Sequence, residues 1–283
     1  MIPAAFSYAR PRSLDEAFAL LAEHGSDAKL IAGGHSLLPM MKLRLATPGI
    51  LIDISRIGGL DSIKASGDRV TIGALTTHAA IAADADVRKM IPALADAASQ
   101  IGDSQVRNRG TIGGACAHGD PAADYPAIAP ALGAMFTIAS RSGTKATPAS
   151  DFFRGMFETA LPADAVLVEI AFPAAPKSAY VKFPHPASHY AVVGAAANLT
   201  LQGTKIATAR IALTGVGDHA YRADNVEKAL VGVDPKDADA VKAACVDAGM
   251  DVEARSDVFA SGKYREAMAE VYAARAVAAA ASR

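Results

Sequence analysis

The stretch that decides the fold of this chain is residues 29–36, KLIAGGHS, in which a short apolar run leads directly into two glycines and two polar side chains. The run over residues 29–32 predicts a buried strand, and the Gly-Gly pair predicts a tight turn after it. Upstream, Ser13-Leu-Asp-Glu16 has capping-box spacing and predicts a helix that ends at Gly25. Downstream, residues 37–45 are compatible with a helix, and residues 50–54 indicate a second strand. This alternation is typical of an α/β unit with parallel strands.

A second glycine pair occurs at residues 111–115, TIGGA, after the basic segment QVRNRG at residues 105–110. Two glycines in a turn let backbone N–H groups converge on one point, because no Cβ atoms stand in the way. Phosphate oxygens suit such donors, and the hydroxyls of Ser36 and Thr111 could add to them. Two loops of this kind predict a diphosphate held between them, and hence a dinucleotide. Neither loop matches G-x-G-x-x-G or contains a P-loop lysine, so each pair taken alone is also compatible with a structural turn.

The middle of the chain, from about residue 58 to residue 176, predicts a different arrangement. An Ala-rich segment over residues 77–101 favours helices. The strand candidates around it are short and separated by turn residues, and they lie at 70–77, 134–140, 144–150 and 166–172. Such spacing predicts a largely antiparallel sheet.

The last part of the chain predicts a smaller sheet followed by helices. Its strand candidates lie at residues 179–183, 190–201 and 205–217, and its helical segments at 223–231, 234–248 and 264–281. The second helix is predicted to have Asp234 as N-cap and Pro235 as its first residue. The predicted fold class is therefore α+β. A domain of residues 1–176, with an α/β subdomain (about 1–57) and a mostly antiparallel subdomain (58–176), precedes a C-terminal three-stranded sheet with helices (177–283).

Composition narrows the class of protein. The chain has 283 residues, 51% of them hydrophobic and 20% charged, with a net charge of −1, which predicts folded domains and argues against a surface for nucleic acid or an anionic membrane, although a local basic patch stays open. Two cysteines are too few for a disulfide framework, a structural zinc site or an iron–sulfur cluster held by this chain alone. We see no secretory signal and no apolar run long enough to span a bilayer, so we expect a cytoplasmic protein without membrane insertion.

Five segments together carry a family resemblance: AGGHSLLPMMKLRLATP, IGALTTH, VRNRGTIGG, HGDPAADYPA and VLVEIAFP. In order and spacing, over essentially the whole chain, they resemble the flavoprotein subunits of molybdenum hydroxylases, the family of the carbon monoxide dehydrogenase medium subunit and the xanthine dehydrogenase FAD subunit. The resemblance implies FAD bound between the two subdomains. It also implies a small [2Fe–2S] subunit that supplies electrons, a large subunit with the molybdenum cofactor, and a dimer of such heterotrimers that delivers electrons to an external acceptor.

The resemblance also implies which residues contact FAD, and it implies no catalytic residue and no metal ligand. The two glycine segments would clamp the diphosphate, with Lys29 just before the first, through Lys29, Ala32, Gly33, Gly34, His35, Ser36, Leu37, Thr111, Ile112, Gly113 and Gly114. Asp124, with Asp120 as the second candidate, would contact the ribityl side, and Leu167 the adenine or ribityl portion. Lys182 and Tyr190 would lie beside the isoalloxazine ring.

Three positions depart from the family pattern. Ala115 stands where many relatives have Asn, and His185 and His189 stand where relatives often carry Arg and Asp. The flavin-ring environment and the electron acceptor are therefore open, as is the substrate of the complex: carbon monoxide, an N-heterocycle or an aldehyde. Two other functions also stay open, a stand-alone flavin oxidase acting directly on a small substrate and a nucleotide-binding regulatory module without redox chemistry.

Overall fold

The computed structural model describes residues 1–283 and begins with a small α/β unit. Its elements are β1 (Ser7–Ala9), α1 (Leu14–His24), β2 (Ala28–Ile31), α2 (Leu37–Lys42) and β3 (Ile50–Asp53). The strands form a parallel sheet in the order β1-β3-β2, which confirms the predicted α/β unit. Ser13 caps α1 by accepting a hydrogen bond from the backbone N–H of Glu16, and Gly25 ends the helix with φ +53°.

A second unit follows, built on a five-stranded sheet. The strands of the sheet are β4 (Ile63–Ser66), β5 (Arg69–Gly73), β6 (Met135–Ser140), β7 (Gly143–Pro148) and β10 (Val166–Pro173). A separate short pair is formed by β8 (Phe153–Gly155) and β9 (Glu158–Thr159). The helices of the unit are α3 (His78–Ala83), α4 (Ala85–Met90), α5 (Pro92–Gln100), α6 (Ser104–Arg107), α7 (Ile112–His118) and α8 (Tyr125–Ala131). The order β4-β5-β10-β6-β7 is antiparallel throughout, as the sequence predicts.

The C-terminal unit has a four-stranded antiparallel sheet with helices. The elements are β11 (Ser178–Pro184), β12 (Ala191–Gln202), β13 (Lys205–Thr214), β14 (Tyr221–Arg222), α9 (Asp224–Leu230), α10 (Ala238–Ala244) and α11 (Gly262–Ala281). The fourth strand, β14, is missing from the prediction because two residues carry no periodic signal.

The predicted start of the second C-terminal helix is wrong. Asp237, rather than Asp234, caps α10 by accepting from the backbone N–H of Ala240. Asp234 instead accepts hydrogen bonds from Lys236 and Asp237 N–H groups in a separate turn before the helix. Two aspartates three residues apart offer two competing caps, and sequence spacing alone does not choose between them.

The C-terminal sheet packs between helices of two units. One face contacts α5 and α8 of the second unit, and α11 packs against β11 and β12. Alanine makes this close packing possible, since Ala195, Ala196 and Ala197 of β12 are all fully buried. None of the helices is both long and apolar enough to cross a membrane.

A buried ion pair joins the second unit to the C-terminal sheet. Asp124, immediately before α8, lies 3.1 Å from the ammonium of Lys182 on β11 and accepts a hydrogen bond from the hydroxyl of Tyr180. Lys182 also donates to the carbonyl oxygen of Gln100 at 2.9 Å. Burial raises the pKa of the Asp124 carboxyl, whereas the Lys182 charge and the Tyr180 hydroxyl lower it. Each of the two buried charges compensates the other, and the pair links the second unit to the C-terminal sheet.

We predict that Lys182→Met lowers the free energy of unfolding by about 3–5 kcal/mol, because Asp124 is left buried without its counter-ion. Urea denaturation at pH 7 measures the change. The matched control is Lys242→Met on the exposed surface of α10, which we expect to stay within about 0.5 kcal/mol of the native chain. Equal losses in the two variants would contradict the prediction.

Candidate functional site

A cleft of about 620 Å³ opens where the three units meet. All the predicted contact residues line it except Ile112 and Lys182. The side chain of Ile112 lies in the hydrophobic core of the second unit. Lys182 does not line the cleft; its ammonium pairs with the carboxylate of Asp124, which does.

The first glycine loop, residues 32–36, carries the unsatisfied donors of this cleft. The backbone N–H groups of Gly33, Gly34, His35 and Ser36 donate to no other group of the chain. Gly34 has φ +77°, a conformation that glycine adopts without strain. Four successive free amides at a cleft wall form the kind of concave donor set that accepts a phosphate group.

Gly33 is required for a reason that the sequence does not show. A Cβ atom on Gly33 would lie 2.1 Å from the carbonyl oxygen of Arg109 and 2.9 Å from the Cα of Gly110. The first loop therefore rests directly on the backbone that leads into the second glycine loop, residues 110–114. Glycine here permits contact between the two loops, whereas the sequence suggests only that it leaves room for a ligand.

Most backbone amides of the second glycine loop donate hydrogen bonds to other groups of the protein. The amides of Ile112 and Gly113 donate to the carbonyl oxygens of Thr76 and Ala74, and the amide of Gly114 donates to the hydroxyl of Thr111, the N-cap of α7. A Cβ on Gly113 would lie 2.4 Å from the Cβ of Ala74. The prediction that both loops present free converging amides is thus wrong for these three amides of the second loop, because the chain itself takes them.

His78 contacts the second glycine loop and supports it. Its backbone N–H donates to the carbonyl of Gly110, and its Nδ1 lies 2.9 Å from the hydroxyl of Tyr125. A Cβ on Gly110 would lie 2.5 Å from His78 Nε2, so the ring and the loop are in close contact. Burial, together with the nearby charges of His35 and Arg107, lowers the pKa of His78 to about 4. His78 is therefore neutral at pH 7, and the sequence singled it out only as the end of IGALTTH.

The acidic side of the cleft is the segment Asp120–Asp124, which the C-terminal sheet holds in place. Asp120 turns the segment by accepting a hydrogen bond from the amide of Ala122. The Thr214 hydroxyl lies 2.8 Å from the carbonyl oxygens of Pro121 and Ala123. Gly215 N–H donates to Pro121, and Ala191 N–H donates to Ala122. The carboxylates of this segment are therefore positioned by a unit other than their own.

Tyr190 lies at the side of the cleft that the C-terminal unit forms, and it is 38% exposed. Burial and the nearby charge of Asp120 raise the pKa of its phenol. The preceding loop is irregular: His185 Nδ1 accepts hydrogen bonds from Ala187 and Ser188 amides, and His189 has φ +62°. As expected from the flanking prolines, the two histidines do not share a helix face.

The cleft holds donors and acceptors but no assembled catalytic group. The one cysteine near it, Cys116, is fully buried and its pKa is raised by that burial. Burial lowers the pKa of His118, and Asp120 opposes that shift. No three His, Cys, Asp or Glu side chains are close enough together to hold a metal ion. Phe157 and Met40 also line the cleft, and no pattern in the sequence marks them as site residues.

We predict that the free energy of unfolding falls by about 2 kcal/mol between pH 7 and pH 5 through His78 alone. In that range unfolded His78 takes up a proton near its ordinary pKa of about 6.5, whereas folded His78 resists protonation until about pH 4. Urea denaturation of His78→Gln should therefore show a smaller loss on acidification than the native chain. His24→Gln, on the partly exposed end of α1, is the control, and the same pH dependence in all three proteins would contradict the assignment.

Two family descriptions match the chain in succession. The FAD binding domain in molybdopterin dehydrogenase matches residues 4–175, and the CO dehydrogenase flavoprotein C-terminal domain matches residues 178–280. The cleft fits FAD on its own geometry as well, since four free amides at one wall suit a diphosphate.

Individual relatives match over nearly their full length. The carbon monoxide dehydrogenase medium chain of Hydrogenophaga pseudoflava is 43% identical, covering 98% of this chain and 97% of that one. The glyceraldehyde dehydrogenase medium chain of Sulfolobus acidocaldarius is 37% identical, with 98% of both chains covered. A solved structure of the Hydrogenophaga pseudoflava carbon monoxide dehydrogenase matches with a TM-score of 0.95 at 44% identity, covering 100% of this chain and 99% of that one. The chain therefore belongs to the FAD-binding flavoprotein subunits of the molybdenum hydroxylases, a family of oxidoreductases.

Proposed function

We propose that this chain is the electron-transfer subunit of a three-subunit molybdenum-containing hydroxylase or dehydrogenase. A small subunit would pass electrons from its [2Fe–2S] clusters to the FAD of this chain, and a large subunit with the molybdenum cofactor would oxidise the substrate. The assembly would be a dimer of heterotrimers in the cytoplasm. One observation carries the proposal: four successive backbone amides at the wall of the cleft have no hydrogen-bond partner within the chain.

FAD, when bound, supplies the redox chemistry, and the chain supplies binding and orientation. We assign the diphosphate to the free amides of the first glycine loop, with the hydroxyl of Ser36 beside them. The second loop would shape the site in two ways. The backbone of Arg109 and Gly110 would support the first loop, and Thr111 would contribute a further contact. Because the other amides of this loop are occupied, most of the binding free energy from hydrogen bonds would come from the first loop.

The remaining predicted residues divide into contacts and supports. Asp120 and Asp124 would face the ribityl chain, Leu167 the adenine or ribityl portion, and Tyr190 the ring. Lys182 and Ile112 would act indirectly, Lys182 by holding Asp124 and Ile112 by anchoring α7 in the core. We also propose the division into subdomains 1–57 and 58–176 and a C-terminal domain 177–283, in which the last domain positions the acidic segment.

This division of labour leaves substrate selectivity to the large subunit. Substrate oxidation would take place in the large subunit, so the identity of that substrate would depend on chemistry outside this chain. The structure offers no observation in favour of a stand-alone oxidase over this arrangement.

We predict that Gly33→Ala reduces the FAD content of the purified protein at least tenfold while leaving the fold intact. The new Cβ would collide with Arg109 and push the first loop off the second, and its amides would no longer converge. The ratio of flavin to protein absorbance and a circular dichroism spectrum measure the two outcomes. Gly58→Ala is the matched control, since a Cβ there meets nothing within 4 Å. A Gly33→Ala protein that keeps its flavin would contradict the assignment of the diphosphate.

We expect the chain to co-purify with a [2Fe–2S] protein and a molybdenum protein when it is expressed with its neighbouring genes. The isolated chain should bind FAD, and small alcohols, amines and aldehydes should not reduce that FAD. Anaerobic absorbance at about 450 nm follows the reduction. Rapid bleaching of the isolated chain by one of these compounds would favour the stand-alone oxidase, and failure to bind FAD would favour the regulatory module.

A further inference from the structure

The histidine that supports the second glycine loop also borders the FAD cleft. His78 is 4% exposed, and it lines the cleft together with Tyr125. The Nδ1 atom of His78 lies 2.9 Å from the Tyr125 hydroxyl, whereas Nε2 makes no hydrogen bond within the chain. Nε2 is not sealed in the core either, since the side-chain atom that is both sealed and unpaired is Nε of Arg265. The unpaired nitrogen of His78 is therefore open to the cleft.

The hydrogen bond with Tyr125 decides which nitrogen of His78 carries the proton. A neutral imidazole has one N–H donor and one acceptor nitrogen. Burial, together with the nearby charges of Cys116 and Asp124, raises the pKa of Tyr125, so the phenol keeps its proton. The Tyr125 hydroxyl has no other hydrogen-bond partner in the chain, and it therefore donates to Nδ1. The proton of the neutral ring is then on Nε2, which is a donor with no acceptor in the chain.

The position of Nε2 relates it to the first glycine loop. A Cβ atom on Gly110 would lie 2.5 Å from Nε2, and a Cβ atom on Gly33 would lie 2.9 Å from the Cα of Gly110. Gly110 thus contacts both the His78 ring and the loop whose four amides are free. We assign the diphosphate of FAD to those amides, and it is therefore the nearest candidate acceptor for Nε2.

The charges around His78 favour a neutral donor at this place. His35 of the first loop and Arg107 of α6 disfavour a positive charge on the His78 ring. Arg107 itself donates to two backbone carbonyl oxygens. Two carboxylates act on the same neighbourhood: Asp103, which interacts with Arg107 and His35, and Asp124, whose charge is compensated in its buried ion pair. Because the surroundings of Nε2 are of mixed charge, recognition there depends on a hydrogen bond rather than on a net positive field.

We propose that His78 binds FAD directly, with Nε2–H donating a hydrogen bond to a phosphate oxygen of the diphosphate and Tyr125 fixing the tautomer of the ring. The proposal rests on the proposed function, which places the diphosphate on the first glycine loop. A charged acceptor makes this hydrogen bond stronger than one between neutral groups. The second unit then supplies its donor through a side chain, because most amides of its glycine loop are already occupied.

Two substitutions of His78 differ in the donor that they leave behind. The side-chain NH₂ of glutamine is as many bonds from the backbone as Nε2 of histidine, so His78→Gln keeps a donor there. His78→Leu has similar bulk and no donor. Both variants remove Nδ1 from the Tyr125 hydroxyl, so their effects on the fold are matched, and urea denaturation checks this. In titrations of the flavin-free full-length chain, His78→Leu should weaken FAD binding about tenfold, whereas His78→Gln should stay within about threefold of the native chain.

ADP locates the contact along the cofactor. It contains the adenosine and the diphosphate of FAD but neither the ribityl chain nor the ring, so His78→Leu should weaken ADP binding by the same factor as FAD binding. Equal FAD affinity in the His78→Leu and native chains, equal losses in the two variants, or a loss for FAD without one for ADP would each overturn the assignment. None of these results touches the proposed function, which fails instead if the loaded native chain accepts no electrons from a [2Fe–2S] partner.

Nitrogen NMR of protein labelled at its histidines reads the tautomer directly. In the flavin-free chain at pH 7, Nε2 of His78 should carry the proton, and ADP should shift the Nε2 signal more than the Nδ1 signal. The signals that disappear in His78→Gln identify the residue, and Tyr125→Phe should let the proton divide between the two nitrogens. A proton on Nδ1 in the native chain would overturn the proposal, because Nε2 would then be an acceptor that phosphate oxygens repel.

Discussion

The contact on which the site depends is the one between the backbone of Gly33 and the backbone of Arg109 and Gly110. Only a residue without a side chain allows the first glycine loop to lie this close to the segment that leads into the second. The contact fixes one side of the first loop against protein and leaves its four amides without internal partners. Four successive amides without a partner in the chain, at the wall of a cleft, suit a ligand with several acceptor oxygens.

The two glycine loops look alike in sequence but do different work. The first loop has free amide donors. The amides of the second loop donate to Thr76, Ala74 and the loop's own N-cap, and its backbone is the platform on which the first loop packs. The platform is itself supported by the neutral His78 ring beneath Gly110. This arrangement suits a subunit whose part in the reaction is to hold a cofactor rigidly, since the reactive atoms belong to the cofactor and the protein sets its position and surroundings.

The C-terminal sheet takes part in the site without belonging to the FAD-binding unit. It holds the segment Asp120–Asp124 through Thr214, Gly215 and Ala191, and through the buried pair of Lys182 with Asp124. It also contributes Tyr190 to the wall of the cleft. Movement of the sheet relative to the second unit would therefore displace the acidic segment and Tyr190 together. Two of the three departures from the family pattern, His185 and His189, fall in the loop just before Tyr190.

The sequence by itself determined the family and the main elements of each unit, but not the short strand β14. Apolar periodicity and turn residues gave the parallel α/β unit, the antiparallel sheet and the C-terminal sheet with helices, and five motifs in register identified FAD. It did not determine which aspartate caps α10, that Lys182 lies under Asp124, or that Gly113 faces Ala74. Those facts come from contacts between segments far apart in the chain, and local patterns carry no information about such contacts. Only the tertiary structure decided which amides stay free for a ligand, because an amide is free or taken according to the carbonyl that folding brings to it.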